Sequence, residues 1–390
     1  MATTGSSDLG RRGKIRLGMV GGGEGAFIGA VHRLAARMDD HYELVAGALS
    51  STPEKAQRSG AALGLDPDRI YDDFITMARK EARRKDGIEA VAIVTPNHMH
   101  AGPVYAFLKA GIHVICDKPL TTSLAEARKL KAAVEKSGLV FALTHNYTGY
   151  PLVRHAREMV RAGELGDIRL VQVEYPQDWL SGPTETTGNK QAEWRVDPKR
   201  SGAGGAIGDI GTHAYNLADY VSGLELAELS AELTSFGAGR ALDDNVQLML
   251  RYENGARGAL WASQVAPGHE NGLRLRIYGT KGGLIWVQAS PNELFWSPLG
   301  KSTRIVTRGG PDAGGAAARM TRIPAGHPEG YLEGFANIYS EVALAIKAAR
   351  DGAKPPEGVH FPGIDDGVKG LAFIEAAIKS SKANGKWTKL

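Results

Sequence analysis

The chain has 390 residues, 43% of them hydrophobic and 23% charged, an ordinary globular composition long enough for about two domains. Its 47 basic and 43 acidic residues leave a net charge of +4 and are scattered, which argues against a nucleic-acid partner; no apolar run nears the roughly 20 residues that a membrane span needs. The single cysteine, Cys116, excludes an internal disulfide and suits a cytoplasmic protein.

Residues 1–13 are rich in Ser, Thr and Gly, lack the apolar core of a signal peptide, and are expected to form a loose tail. The short apolar run Ile15–Val20 predicts a strand, followed by a glycine-rich turn and a helix through Met38. Strands are expected at Tyr42–Leu49, Glu89–Thr95, His113–Cys116 and Leu139–Thr144, with helices after Ser51, at Val104–Ala110 and at Thr121–Ser137. Strands alternating with helices predict a doubly wound parallel sheet. The pattern changes after Asn146. A helix at Leu152–Arg161 and an alternating run at Ile168–Tyr175 lead into a polar, Gly-rich stretch over 176–205. A helix at Thr212–Val221 follows, then alternating runs at Leu226–Ser235, Asn245–Tyr252, Ala256–Gln264, Leu273–Tyr278 and Gly283–Val287. Asn254-Gly255 between two of these runs signals a hairpin. Residues 302–324 read as loop, and Tyr331–Arg350 and Gly367–Asn384 as helices. The expected fold class is α/β: a parallel nucleotide-binding domain at 14–146, then an α/β domain at 147–390 with a large, mostly antiparallel open sheet, whose last helices are free to pack back on the first domain.

The turn after the first strand, Gly21-Gly22-Gly23-Glu24-Gly25-Ala26-Phe27, holds Gly21, Gly23 and Ala26 in a G-x-G-x-x-A spacing, with Gly29 as an alternative third position. Glycines here allow a tight turn and bring backbone N–H groups to a pyrophosphate at a helix N-terminus; the bland reading is a plain flexible turn. Ser50 stands where an acidic residue would hold the ribose of NAD. NAD is the expected cofactor, with NADP left open. Lys55 and Arg58 nearby could favour the phosphate of NADP, but better suit a solvated helix face.

Ligands of an open parallel sheet bind beyond the carboxyl ends of its strands. Two such ends carry chemistry: Thr95-Pro96-Asn97-His98-Met99-His100 and Asp117-Lys118-Pro119. A lysine there can donate to a substrate hydroxyl; otherwise it is a surface charge. Asp209 and His213, four apart at the start of a helix, can share one face, the carboxylate orienting an imidazole suited to acid/base work. A metal pair is the alternative, without companion Cys or H-E-x-x-H pattern; a capping Asp beside a packed His is the bland one.

The glycine loop, Thr95-Pro-Asn-His-Met-His100, Cys116-Asp-Lys-Pro119 and Gly204-Gly-Ala-Ile-Gly-Asp-Ile-Gly-Thr-His213, in this order, resemble the Gfo/Idh/MocA oxidoreductases over nearly the whole chain. The resemblance implies an N-terminal Rossmann domain, an NAD(P) cofactor, hydride transfer at a sugar or polyol carbon, and an open sheet that serves oligomerisation. It maps the family's Glu-Lys-Pro motif, whose Lys-Pro bond is commonly cis, onto Asp117-Lys118-Pro119, and its Asp-x-x-x-His pair onto Asp209 and His213. Lys118, Asp209 and His213 are thus the expected catalytic residues. The cofactor is expected against Gly21, Gly23, Gly25, Ala26, Phe27, Ser50, Thr95, Asn97, His100, Asp117, Lys118 and Asn146. The substrate is expected against Lys118, Tyr147, Gln177, Trp179, Trp194, Arg195, Asp209 and His213, with Asp178 and His327 as outer candidates. Arg195, Lys199 and Arg200 would tolerate an acidic substrate such as a sugar acid or sulfonate, or else face solvent. No metal is expected. An NAD-dependent glycoside hydrolase, working by transient oxidation and elimination, is the alternative reaction, and a non-catalytic cofactor-binding protein a third reading. A homodimer or homotetramer is expected, because an open sheet with apolar positions on its second face needs a cover.

Overall fold

The structure, a computed structural model, describes residues 13–390. The tail expected over 1–13 therefore lies, Gly13 apart, outside the described residues. The first half is a five-stranded, wholly parallel sheet (sheet A) of β1 (Ile15–Gly21), β2 (Tyr42–Ala48), β3 (Ala90–Val94), β4 (His113–Cys116) and β5 (Phe141–Leu143), in the order β2-β1-β3-β4-β5. Its crossovers run through α1 (Phe27–Met38), α2 (Pro53–Ala62), α3 (Phe74–Glu81), α4 (Ala101–Lys109) and α5 (Leu124–Ser137). Every residue of β3 is buried, which is why this strand reads as an unbroken apolar run rather than an alternating one. Helix α5 starts three residues later than expected because the Ser123 side chain caps it, accepting from Glu126 N, and it ends on Gly138 at φ 65°. Helix α3 has no counterpart among the elements expected from sequence; the Asp73 carboxylate caps it through Thr76 N.

The second half is built on a nine-stranded sheet (sheet B) flanked by α6 (Pro151–Arg161), α7 (Lys190–Arg195), α8 (Pro198–Ser201), α9 (Thr212–Ser222), α10 (Gly315–Arg319), α11 (Tyr331–Arg350) and α12 (Ile364–Lys382). Its strands are β6 (Ile168–Pro176), β7 (Leu226–Thr234), β8 (Asn245–Tyr252), β9 (Arg257–Ser263), β10 (Arg274–Gly279), β11 (Gly282–Val287), β12 (Glu293–Pro298), β13 (Arg304–Thr307) and β14 (Thr388–Lys389). The order is β13-β12-β11-β10-β6-β9-β8-β7-β14, antiparallel except where β6 meets β9. The Asn-Gly hairpin joins β8 and β9 as expected. The stretch 302–324, expected as loop, instead carries edge strand β13 and helix α10; only Val306 of β13 is buried, so the run is too short and too polar to announce a strand.

One face of sheet B packs on α6, α9 and α12. Along the other face a row crosses the sheet from Met249 through Ala259, Gln172, Arg276, Ile285 and Phe295 to Ile305, with Met249 and Ile305 exposed. Helix α11 returns to sheet A, burying Phe335, Ile338, Tyr339 and Val342 against α1 and the β1–β2 side. Among the described residues no helix is long and apolar enough to cross a membrane.

Candidate active site

A cleft of about 1420 Å³ runs between the carboxyl edge of sheet A and one edge of sheet B. Its floor at the sheet A end is the turn from β1 to α1. Gly21, Gly22, Ala26 and Phe27 line it. Gly21 and Gly22 have φ of 78° and 71°, a conformation that strains any residue with a side chain. A Cβ on Gly29 would sit 2.4 Å from Gly22 Cα, so the helix meets the turn without room for one methyl. Of the two third positions expected, the structure favours the second. Gly29, not Ala26, is the close-packing position. Gly23 and Gly25 do not line the cleft; Gly23 faces Leu49 O and Ser59 instead. No side chain caps α1, so its first N–H groups stay open toward the cleft. A pyrophosphate fits such a cradle.

Along the strand ends, Ser50, Thr95, Asn97, Asp117, Lys118 and Asn146 all line the cleft, as expected. Thr95 Oγ1 and Asn146 Nδ2 are buried without a hydrogen-bond partner among the described residues, as befits groups that could face a ligand. His100 departs from expectation. It is buried, does not line the cleft, and joins β3 to β4 through Thr95 O at 2.9 Å and Pro119 O at 2.7 Å. Its role is to hold the strand ends together. His98 is exposed against Arg200 O, and His327 is exposed; neither lines the cleft. Lys55 and Arg58 do not line it either, and Arg58 is exposed.

The catalytic candidates come together. Strand β4 ends at buried Cys116, the Lys118–Pro119 bond is cis, and Lys118 Nζ donates to Asp209 O at 2.6 Å and to Asp209 Oδ1 at 2.9 Å. Burial opposes ionisation of Asp209, but Lys118 and Arg195 outweigh it and hold its carboxyl far below the usual range. Arg195 Nε, at 3.1 Å, and Gln264 Nε2, at 2.9 Å, both donate to Asp209 Oδ2. Asp209 does not hydrogen-bond His213, contrary to expectation. A turn of π-helix over Ile207–Gly211 precedes α9, so the two residues lose the simple i, i+4 geometry of a regular helix. The His213 ring is instead boxed by aromatic edges, 5.0 Å from Tyr147 and 5.3 Å from His145 between centroids, and its Nδ1 is buried and has no partner among the described residues. Burial, then the charge of Lys118, pushes its pKa well below the ordinary 6.5, so the imidazole is neutral at pH 7.

The opposite wall is uncharged where it meets His213. Tyr175 Oη donates to Asn271 Oδ1 at 2.7 Å and meets Tyr147 Oη at 2.5 Å. Gln177 Nε2 donates to the same Asn271 oxygen at 2.8 Å, and Asn271 Nδ2 donates to Gln288 Oε1 at 3.0 Å. Trp179 Nε1 donates to Gln177 Oε1 at 3.0 Å, and the Arg195 guanidinium lies 4.3 Å from the Trp194 ring. The expected Tyr147, Gln177, Trp179, Trp194 and Arg195 line the cleft; Asp178 and Lys199 do not. Sequence reasoning missed Tyr175, Asn271 and Gln288, with Gln264, which does not line the cleft but bonds Asp209, and on the sheet A side Asp72, Asp73 and Phe74. One signal could have found the first group. Parallel β6 and β9 end at the same sheet edge where antiparallel β10 begins and β11 ends, so polar residues just outside these runs converge.

Comparison with known proteins agrees with this architecture. The profile of the oxidoreductase family with an NAD-binding Rossmann fold matches residues 15–145, and that of the GFO/IDH/MocA C-terminal domain matches residues 153–285. An oxidoreductase from Sinorhizobium meliloti is 60% identical over 97% of this chain and 100% of its own, with a TM-score of 0.88. An inositol dehydrogenase homolog from Azotobacter vinelandii, solved with NADH and myo-inositol, is 37% identical over 97% of this chain and 98% of its own, with a TM-score of 0.91. The levoglucosan dehydrogenase of Pseudarthrobacter phenanthrenivorans is 28% identical over 96% of this chain and 97% of its own.

Proposed function

The chain belongs to the GFO/IDH/MocA oxidoreductase family, with an NAD-binding Rossmann fold, and from that membership we propose that it oxidises or reduces a hydroxyl-bearing carbon of a sugar or polyol. One observation carries the reading: His213, neutral and with Nδ1 unpartnered among the described residues, lines the same cleft as Lys118, together with the phenols of Tyr147 and Tyr175 and the amides of Gln177, Asn271 and Gln288. Residues 14–146 would serve the nucleotide and 147–390 the substrate. Gly21, Gly22 and the open end of α1 would hold the pyrophosphate, Ser50 a ribose, and Thr95, Asn97, Asp117 and Asn146 the nicotinamide end. When bound there, the cofactor supplies a hydride acceptor or donor. His213 takes the proton of the reacting hydroxyl, which a neutral imidazole can do at pH 7. Lys118 has three N–H donors and spends two on Asp209. Its third points the charge at the substrate oxygen and stabilises the negative charge that develops there. Asp209 keeps Lys118 in place and pairs with Arg195 as well, while Arg200, the third lining cation, pairs with Glu193. Gln177, Asn271, Gln288 and the Trp179 ring suit the hydroxyls and the apolar face of a neutral ring. Levoglucosan and myo-inositol, named for two relatives, are of this class.

The test is a panel of inositols, free sugars and aryl glycosides with NAD, following NADH and released aglycone together. NADH formed in step with an oxidised product is expected. Aglycone released without net NADH would instead indicate glycoside cleavage by transient oxidation, a reaction that no feature of the cleft favours. We further propose that a second copy covers the outer face of sheet B, giving a homodimer or homotetramer. Sedimentation as a monomer at micromolar concentration would overturn this.

A further inference from the structure

Rossmann folds commonly tell NAD from NADP by an acidic residue that closes the second strand, where the adenosine 2′ position falls. Strand β2 here ends at Ala48 and continues through Leu49, Ser50 and Ser51, without an acid. The fold brings one from another segment. Ile70 forms a parallel bridge with Gly47, and Tyr71 N donates to Gly47 O at 2.8 Å. Residues 70–72 therefore run as a short extra edge beside the end of β2. Counted forward from that bridge, Asp72 comes level with Leu49, one residue before Ser50, and both Asp72 and Ser50 line the same end of the cleft.

The charges at this end are one-sided. Asp72 is exposed, and its carboxylate has no hydrogen bond or ion pair among the described residues. Asp73 also lines the cleft, but its carboxylate is engaged at the N-terminus of α3, accepting from Thr76 N at 2.7 Å. No lysine or arginine from sheet A's β1–β2 side lines the cleft. Arg58 of α2 is turned to Glu24, 3.7 Å away. The lining cations are Lys118, beyond β4, and Arg195 and Arg200, from the crossover after β6.

We propose that Asp72 replaces the missing strand-end acid and makes this cleft select NAD over NADP. A ribose 2′-hydroxyl can donate to the free carboxylate. A 2′-phosphate, with a charge of about −1.5 to −2, would meet that carboxylate and no cation that lines this end of the cleft. The inference rests on the nucleotide reading of the cleft and not on the roles given to Lys118, Asp209 and His213.

Isothermal titration of the full chain with NAD and with NADP, at low ionic strength, tests it without any turnover. Wild type should bind NAD tighter by about tenfold or more, the size expected for a phosphate facing one carboxylate a few ångströms away in water. In Asp72→Asn and Asp72→Ser the NADP affinity should rise about threefold to tenfold, while that for NAD should fall by about a few fold as the ribose hydroxyl loses its charged acceptor. Asp72→Glu should keep the wild-type gap. Added salt should narrow the wild-type gap, because both charges are exposed. Two neutral variants guard against a folding defect, and thermal melts identify one. NAD and NADP bound equally by wild type, or an unchanged ratio in both neutral variants, would overturn the inference alone. Binding of neither nucleotide would bring down the nucleotide reading and this inference with it.

Discussion

On the sheet A side, the groups that line the cleft lie where strands stop: Gly21 at the end of β1, Ser50 after β2, Thr95 after β3, Asp117 and Lys118 after β4. Many act through backbone geometry or through one side chain at a fixed offset from an apolar run. On the sheet B side, Asp209 comes from a helix start, Arg195 from a short helix in the crossover, Gln264 from the end of β9, and Asn271 and Gln288 from the ends around β10 and β11. No two of these are neighbours in sequence, and each is held by another's hydrogen bond. Position along a strand thus builds one wall, and mutual contact builds the other. Damage to the first should appear in nucleotide binding, and damage to the second in chemistry and substrate affinity.

The strongest separation is expected from His213→Ala and Lys118→Met. Removing a general base typically costs 10²–10⁴-fold and an oxyanion donor about 10²–10³-fold, so kcat/KM should fall by about 10²–10⁴ in each. Nucleotide affinity, read by titration, should stay near wild type in His213→Ala. Turnover close to wild type in both variants would remove them from the reaction. Next comes Gly29→Ala. Its new methyl would lie 2.4 Å from Gly22 Cα, so the turn must shift. We expect a loss of about 1–3 kcal/mol of stability, as for other overpacked sites, and weaker NAD binding. An unchanged melt with unchanged NAD affinity would show that the turn tolerates the contact.

Stability, but not the division between the walls, should follow pH. Burial lowers the pKa of His32 to about 4, and burial with the Lys118 charge lowers that of His145 to about 3. His213 is lowered as well, for the same causes as His145. All three are neutral in the folded protein near pH 7, whereas the unfolded chain takes up protons below about 6.5. Their contribution to stability is complete above about pH 6.5 and is lost as pH falls from there toward the folded values. Each group should remove on the order of 1.4 kcal/mol per pH unit in that window. Urea midpoints at successive pH values check this, and a flat profile from pH 7 to 5 would contradict it. His32→Gln should soften the slope without touching turnover, because His32 meets Tyr339 on the α11 side and not the cleft. The smallest change is expected from Tyr175→Phe. Loss of its bonds to Tyr147 and Asn271 should raise the substrate KM by a few fold, the equivalent of about 1 kcal/mol, with kcat nearly kept. A large fall in kcat instead would place Tyr175 among the reacting groups.

The difference between the walls also explains how much of the molecule is legible in its sequence. The strands of sheet A, the turn after β1 and the ends at Thr95 and Lys118 follow from local runs and glycine placement. Helix α3 leaves little trace because its eight residues bury few large side chains. His100 misleads because proximity to a strand end does not say which way a ring turns; both its nitrogens face backbone oxygens. The spacing of Asp209 and His213 places them rightly in space but wrongly in bonding, since it supposes a regular helix and the chain makes a π turn.

The residue pattern by itself determined the alternating first half, the antiparallel character of the second, and Lys118 standing at the carboxyl edge of sheet A. Those features depend on periodicities of two and 3.6 residues and on the conformational freedom of glycine, which act within a few neighbours. Only the tertiary structure decided that Asp209 answers to Lys118, Arg195 and Gln264 rather than to His213, and that Asp72 lies beside the end of β2. Such pairings mostly join residues tens of positions apart, and the packing of whole strands and helices, not any local preference, brings them within hydrogen-bonding reach.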